Sequence, residues 1–301
     1  MSQPPQVLPA RTRAAVYAAA TVSVFAWGAT PIATKIGVNH IDPILVGVAR
    51  TVIGGAVALP IVLLMRIPLP RTGRQFRLLA LSAFCGFVAF TILFGIGQNL
   101  TSGTHTGLIF ASIPIFTGIF AFIIERRGPN VLWWVGGAVA LAGEAYIILF
   151  RGVDDRGGAT LAGDAIVLVA TIIVCLGYVI GARLTQIGYS AWGTTFWGVV
   201  LAALVQAPLV PFIAAGTGWE NADAAGWWAV LYLALGSGIA SYVCWYWALG
   251  KGGIAKTVMV YFYSPLVTIG LAVILLGETV TPPVLGAAVA IFAGVYISQR
   301  D

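Results

Sequence analysis

Apolar residues fall along this chain in runs of about twenty, parted by short polar breaks. A hydrocarbon core about 30 Å thick takes about 20 helical residues to cross. With charges, Pro, Gly and Asn taken as breaks, the pattern predicts ten membrane-spanning helices. They cover Ala14–Val38, Pro43–Met65, Arg74–Gly97, Gly103–Ile124, Asn130–Phe150, Gly163–Ile187, Ala191–Ala214, Ala224–Leu249, Ile254–Leu276 and Pro282–Ser298. Short connections leave little chain for a domain outside the membrane. Arg11 and Arg13 precede the first run, as in a secretory leader. That run is too long for one, is interrupted by Trp27 and Pro31, and has no A-x-A site, so it reads as a retained helix.

Composition agrees. Of the 301 residues 59% are hydrophobic and 9% charged, against about 45–50% and about 25% in soluble domains. Disorder is excluded by the hydrophobicity. Nucleic acid is excluded as a partner, because no dense basic face exists. Cys85, Cys175 and Cys244 each sit inside an apolar run with no CxxC or His/Cys cluster, so no disulfide framework, metal site or cofactor is indicated. They read as small packing residues. The partners expected are the lipid bilayer and a small molecule; oligomeric state is not legible.

Charge placement predicts orientation, since Lys and Arg concentrate on the cytoplasmic side. With both termini in the cytoplasm, that side holds Arg11, Arg13, Arg66, Arg71, Arg74, Arg77, Arg126, Arg127, Arg183, Lys251, Lys256 and Arg300. Lys35, Arg151 and Arg156 fall outside, with Asp42, Asp154, Asp155, Asp164, Glu220, Asp223 and Glu278. Trp133 and Trp134 at one face, and Trp219, Trp227 and Trp228 at the other, read as interfacial anchors, whereas Trp27 lies near mid-membrane.

The chain repeats itself at an offset of 151 residues, read off the aligned positions. Pro114 falls on Pro265, Ala83 on Ala234, Ala89 on Ala240, Thr117 on Thr268, Ala121 on Ala272, Ile123 on Ile274, Ala142 on Ala293 and Gly143 on Gly294. Residues 1–150 and 151–301 would then be two five-helix repeats. Five is odd, so the second copy is inverted, a plan typical of secondary transporters with substrate held near midplane.

At this point the sequence resembles the drug/metabolite transporter superfamily, in its EamA-like branch. The resemblance rests on the ten spans, on the mid-helix Pro114 and Pro265, on Leu276-Gly277-Glu278, and on the small-residue segment Gly286 to Gly294. The first half departs from the pattern, with Glu125-Arg126-Arg127 where Gly-Glu is expected. Within the branch the chain is most similar to bacterial amino-acid exporters of the YddG type. The resemblance implies an all-α integral membrane fold in the bacterial cytoplasmic membrane, with the fifth and tenth helices peripheral and the other eight around a central cavity. It also implies alternating-access export of amino acids, aromatic and other neutral ones included, and of related metabolites.

Polar stripes on those eight spans nominate the site. Thr257, Tyr261, Ser264 and Thr268 share one face of the ninth span; Ser237, Ser241 and Trp245 share one of the eighth; Ser23, Trp27, Thr30 and Thr34 share one of the first. Such stripes either bond between helices or line a cavity. The positions matching them by repeat are Gly86, Phe90 and Phe94, then Thr106, Phe110, Ile113 and Thr117. One wall would be aromatic and apolar and the other hydroxyl-bearing, a composition suited to a small molecule with an apolar body.

Charges inside spans are functional suspects. Arg50 lies roughly 10 Å deep, at ~1.5 Å per residue. Glu144 lies at similar depth, so the two could pair; each could instead snorkel, and Arg50 could meet a substrate carboxylate. Lys35 is near enough to the surface to snorkel. Gln98, Asn99 and His105 sit together at the outer start of the fourth span, as a gate or as a solvated rim. Pro114 and Pro265 would leave carbonyls one turn earlier without their helical donor, as paired hinges or simple kinks.

Three other classes compete with this reading. An exporter of hydrophobic cations would favour a buried acid, and the eight cavity-forming spans offer no Asp or Glu that reads as well buried. A membrane enzyme needs an acid/base or metal constellation, yet the two His, His40 and His105, belong to no HxxxD, HExxH or Ser-His-Asp grouping. A channel would need a ring of pore charges, and none is evident.

Overall fold

The computed structural model describes residues 9–125, 131–149, 160–215, 217, 222–277, 279–280 and 282–298. It is helical throughout, with no strand among the described residues. Eight helices are long and apolar enough to cross a membrane: α1 (Ala10–His40), α2 (Pro43–Leu64), α3 (Gly73–Asn99), α4 (Gly103–Glu125), α6 (Leu161–Gln186), α7 (Ala191–Ala214), α8 (Ala224–Gly252) and α9 (Val258–Leu276). Two further apolar helices are α5 (Val131–Leu149) and α10 (Pro282–Ser298). The chain is therefore a multi-pass membrane protein.

The helix starts were written locally. Asp42, Thr72, Ser102, Thr160, Ser190 and Asp223 each accept from amides of the first turn that would otherwise be orphaned. Several helices outrun their predicted ends, because helix continues into the polar residues that flank the apolar runs. α8 runs on until Gly253, whose φ of 82° suits glycine and ends the helix.

α5 and α10 pack on each other along their length and lie against the flank of α4 and α9. The seam is a separate apolar cluster of Leu108, Ala111, Ile115, Trp133, Met259 and Ala287. Trp133 is thus no interfacial anchor: it is 4% exposed and fills the space over Gly118, where a Cβ would come within 2.0 Å of its ring. Trp134 and Trp228 are exposed, as anchors would be, and Trp219 lies outside the described residues. Gly118→Val is expected to displace that ring and cost about 1–3 kcal/mol, as overpacking does. Thermal unfolding in detergent measures it, and the added change Trp133→Leu should recover part of the loss.

The remaining helices enclose the main core. Their outward faces carry exposed apolar side chains such as Phe25, Leu64, Leu204, Phe212 and Ile274, suited to contact with lipid tails. The core helices are irregular at matching places. α3 widens into a π-helix over Phe84–Ala89, and α8 does so over Leu233–Ala240. A 3₁₀ turn over Phe110–Ser112 precedes Pro114, and another over Val258–Tyr263 precedes Pro265. The ends of each pair, Ala89 with Ala240 and Ser112 with Tyr263, stand at the offset of 151 found in the sequence.

These turns correct the expectation of freed carbonyls. Each proline opens a helix, where a missing N–H costs nothing. The carbonyl of Phe110 accepts from Ile113 N, and that of Tyr261 from Ser264 N, so the 3₁₀ turn has already taken both. α1 is itself broken by a turn at Ala29, just after Trp27 and Gly28.

Candidate functional site

A cavity lies between α1, α2, α3, α4, α6, α8 and α9. Trp27, Thr30, Arg50, Phe90, Phe110, Tyr178, Ser237, Tyr242 and Tyr261 line it. Every one of these side chains is at most 5% exposed. The space holds about one water molecule at most, and with its lining side chains buried the bundle is closed around it.

The break in α1 delivers Trp27 and Thr30 to the centre. The indole N–H of Trp27 donates to the Ser237 carbonyl at 2.8 Å. The hydroxyls of Thr30 and Ser237 are 2.8 Å apart, and Arg50 Nη2 donates to Ser237 Oγ at 3.4 Å. Ser237 sits in the π-helical segment of α8, and π-bulges recur at functional sites because they redirect backbone groups.

Aromatic rings form the rest of the wall. Trp27 stacks on Tyr178 at 5.2 Å between centroids and meets Tyr242 and Trp245 edge-on at 5.1 and 5.3 Å. Such pairs contribute about 0.5–1.5 kcal/mol each beyond burial. Phe90, Phe94 and Phe110 make a second group, with Phe90 and Phe94 stacked at 5.1 Å.

Arg50 is the charged side chain among the buried polar groups that are left partly unsatisfied. It is 5% exposed, and its Nη1 has no hydrogen-bond partner. No carboxylate pairs with it among the described residues. The snorkelling alternative fails, since the head group points into the bundle. The side chain of Glu144 lies outside the described residues. Its helix packs chiefly on α10 and α4, whereas α2 packs chiefly on α7, α3 and α8. Chemically, the cavity offers a guanidinium, two hydroxyls and an aromatic box. That combination complements a small molecule with an anionic group on an apolar body.

The stripes divide. Trp27, Thr30, Phe90, Phe110, Ser237 and Tyr261 reach the cavity. Phe94 and Trp245 stand behind it in the aromatic groups. The expected hydroxyl wall on α9 is absent. Thr268 donates to the Gly28 carbonyl at 2.6 Å, tying α9 to the broken α1, while Thr257 packs against Gly252 and Ser264 is buried away from the lining. Ser241 donates to Gly236 O, and its own carbonyl accepts from Ser23. The hydroxyls of Thr268, Ser241 and Ser23 thus bond between and within helices.

Tyr178 and Tyr242 were missed. Neither falls on a polar stripe. Tyr178 did carry a signal, as the single aromatic residue in the 26 residues of α6.

The nominated gate residues do not reach this cavity. Gln98 and His105 belong to a second buried polar cluster, and Asn99 is exposed at the end of α3. His105 Nδ1 lies 3.2 Å from Asp164 Oδ2, and Thr101 Oγ1 donates to Asp164 Oδ1. His105 is 6% exposed, not solvated. Lys35 is half-buried, and its Nζ donates to the carbonyls of Thr101 at 2.8 Å and Gln98 at 3.3 Å. Asp164 was expected on the outer surface, and no acid was expected in the core; it is fully buried. The cause is tertiary. The α3–α4 turn folds over the start of α6, where Thr160 N donates to Leu100 O at 2.8 Å.

Comparison with known proteins follows this geometry. The sequence profile of the EamA-like transporter family matches residues 14–149 and again 161–299. Uncharacterized transporter YdeK of Bacillus subtilis (strain 168) is 27% identical over 272 residues, covering 89% of this chain and 91% of that one. A probable amino-acid metabolite efflux pump of Salmonella typhimurium is 25% identical, covering 93% of each. Uncharacterized inner membrane transporter YedA of Escherichia coli (strain K12) is 28% identical, covering 90% of this chain and 87% of that one. A solved crystal structure superposes with a TM-score of 0.70 at 16% identity, over 94% of this chain and 98% of its own, so the fold is shared.

Proposed function

The chain belongs to the EamA-like transporter family, and from that premise we propose that it exports amino acids, aromatic and other neutral ones included, and related metabolites from the cytoplasm by alternating access. The observation that carries the reading is the buried Arg50 guanidinium, with Nη1 unpartnered, facing a closed aromatic cavity. A buried charge without a partner is costly, and a substrate carboxylate would supply one. Trp27, Tyr178, Tyr242 and Tyr261 would then enclose an apolar or aromatic side chain, with Thr30 and Ser237 as polar contacts. The Salmonella typhimurium relative supports the same substrate class.

The topology in this proposal has ten spans, both termini in the cytoplasm and two inverted five-helix repeats, 1–150 and 151–301, in the bacterial inner membrane. The Lys/Arg asymmetry supports the orientation. The paired π and 3₁₀ segments at one sequence offset support the repeat. Pro114 and Pro265 would be hinges at the ends of those paired segments. The nearest rival is export of hydrophobic cations, and Arg50 weighs against it, because a guanidinium in the cavity repels them.

A proteoliposome panel tests the proposal. Neutral, acidic, basic and aromatic amino acids are compared with lipophilic cations. Neutral and aromatic amino acids should move, and the cations should not. Movement of the cations alone would overturn the reading, and movement of nothing would reopen the enzyme class.

A further inference from the structure

We propose that the central cavity selects for a single negative charge: it binds acids with one carboxylate, an apolar or aromatic body and no amine more tightly than the amino acids that carry the same side chain. This deepens the export reading and rests on it, since it takes the cavity to be the substrate site. The charged side chain of the lining is Arg50, and its buried Nη1 has no hydrogen-bond partner. A carboxylate answers it. An amino acid brings an ammonium as well, and the lining holds nothing of opposite charge to meet that.

The acids can be followed along the helices that enclose the cavity. Over their whole lengths α1, α2, α3, α8 and α9 carry no Asp or Glu. α4 carries Glu125, its last residue, which accepts from Gln186 at 3.2 Å. α6 carries Asp164 near its start, where Thr101 and His105 engage it. Glu144 belongs to α5, which supplies no residue to the lining. Admitting a substrate must part the walls, and these helices have no further carboxylate to bring in.

Unwound backbone carbonyls are the other groups that hold cations inside transporters. Here side chains already engage the carbonyls of the irregular turns. At the break in α1 the Gly28 carbonyl accepts from Thr268. On the π-helix of α8 the carbonyls of Gly236 and Ser237 accept from Ser241 and Trp27. On that of α3 the carbonyls of Gly86 and Phe87 accept from Tyr242 and Gln206. The ring faces are partly covered too, since Trp27 and Tyr178 stack on one another. An ammonium one carbon away from the bound carboxylate therefore lies beside the guanidinium, stripped of water and with no anion in its place. A charged hydrogen bond that goes unmade is worth about ten- to a hundredfold in affinity, and the amine weakens binding by about that factor.

Isothermal titration of the whole protein in lipid nanodiscs tests it, with three probes that share a phenyl body. 3-Phenylpropionate carries the carboxylate alone, L-phenylalanine the carboxylate and the ammonium, and phenethylamine the ammonium alone. At about pH 7.5 each group holds its charge. Empty nanodiscs, titrated alongside, give the heat of partition into lipid to be subtracted. 3-Phenylpropionate should bind about ten- to a hundredfold more tightly than L-phenylalanine, and phenethylamine should not bind. Arg50→Met should lose 3-phenylpropionate, whereas Arg50→Lys, which keeps the charge, should keep the order of the three. Equal binding of the first two, tighter binding of L-phenylalanine, or 3-phenylpropionate binding that survives Arg50→Met would overturn the proposal. L-Phenylalanine bound most tightly and moved in proteoliposomes discards this inference and keeps the export reading. 3-Phenylpropionate bound through Arg50 while no amino acid is moved keeps the charge selection and discards amino-acid export. Binding of none of the three while amino acids are moved discards this inference alone.

Discussion

Arg50→Met is expected to abolish binding and transport of amino acids while leaving the protein as stable or more stable to heat. The two effects separate because the guanidinium is buried with one nitrogen unpartnered and no carboxylate beside it among the described residues. Removing an uncompensated buried charge relieves a cost, so the unliganded fold gains. A charged hydrogen bond to substrate is worth about 1.5–3 kcal/mol, or roughly ten- to a hundredfold in affinity. Thermal unfolding with and without amino acid measures both: the melting point should hold or rise, and its upward shift with ligand should vanish. A clear drop in stability without ligand would mean that Arg50 serves the fold. Arg50 with Glu144 was the alternative pairing, and the double change Arg50→Met with Glu144→Gln distinguishes it. If Arg50 meets substrate, the added change restores no transport.

Trp27→Ala is expected to be the most damaging single change in the cavity. The indole touches Tyr178, Tyr242, Trp245 and Tyr261 and donates to the Ser237 carbonyl on the π-helical turn of α8. Truncating a buried Trp costs about 3–5 kcal/mol, enough to threaten folding by itself. Trp27→Phe goes part of the way to separating stability from recognition: it keeps one ring in the stack and loses the second ring with the N–H. That variant should lose less stability than Trp27→Ala yet still transport poorly, because Ser237 would no longer be held beside Arg50 and Thr30. Full uptake by Trp27→Phe would remove the indole hydrogen bond from the site.

The two variants probe parts of the site that were unequally legible. Arg50 stood out in the sequence because a charge about 10 Å into a span is costly and rare. Trp27 stood out because it lies far from both interfaces, where Trp is usually enriched. Tyr178 and Tyr242 stood out less, since an aromatic ring on an apolar helix satisfies the same pattern whether it faces a cavity, a neighbour or lipid. The hydroxyl stripe of α9 shows the opposite error. Its spacing set Thr257, Tyr261, Ser264 and Thr268 on one face, but of these Tyr261 alone lines the cavity, and the Thr268 hydroxyl is used by the carbonyl of Gly28.

By itself the sequence determined the class, the helices and most of their starts, because those depend on local quantities: length of apolar run, residues able to cap, and Gly or Pro at ends. It also held the offset at which the two halves carry the same irregular turns. Tertiary structure alone decided which face of each helix turns inward, since rotation and tilt are set by packing on neighbours rather than by hydropathy. That is why Asp164, four residues past the Thr160 cap and seemingly at the surface, became the buried partner of His105 once the α3–α4 turn folded over it. It is also why Trp133, at a predicted membrane edge, became the filling of a groove made by one glycine.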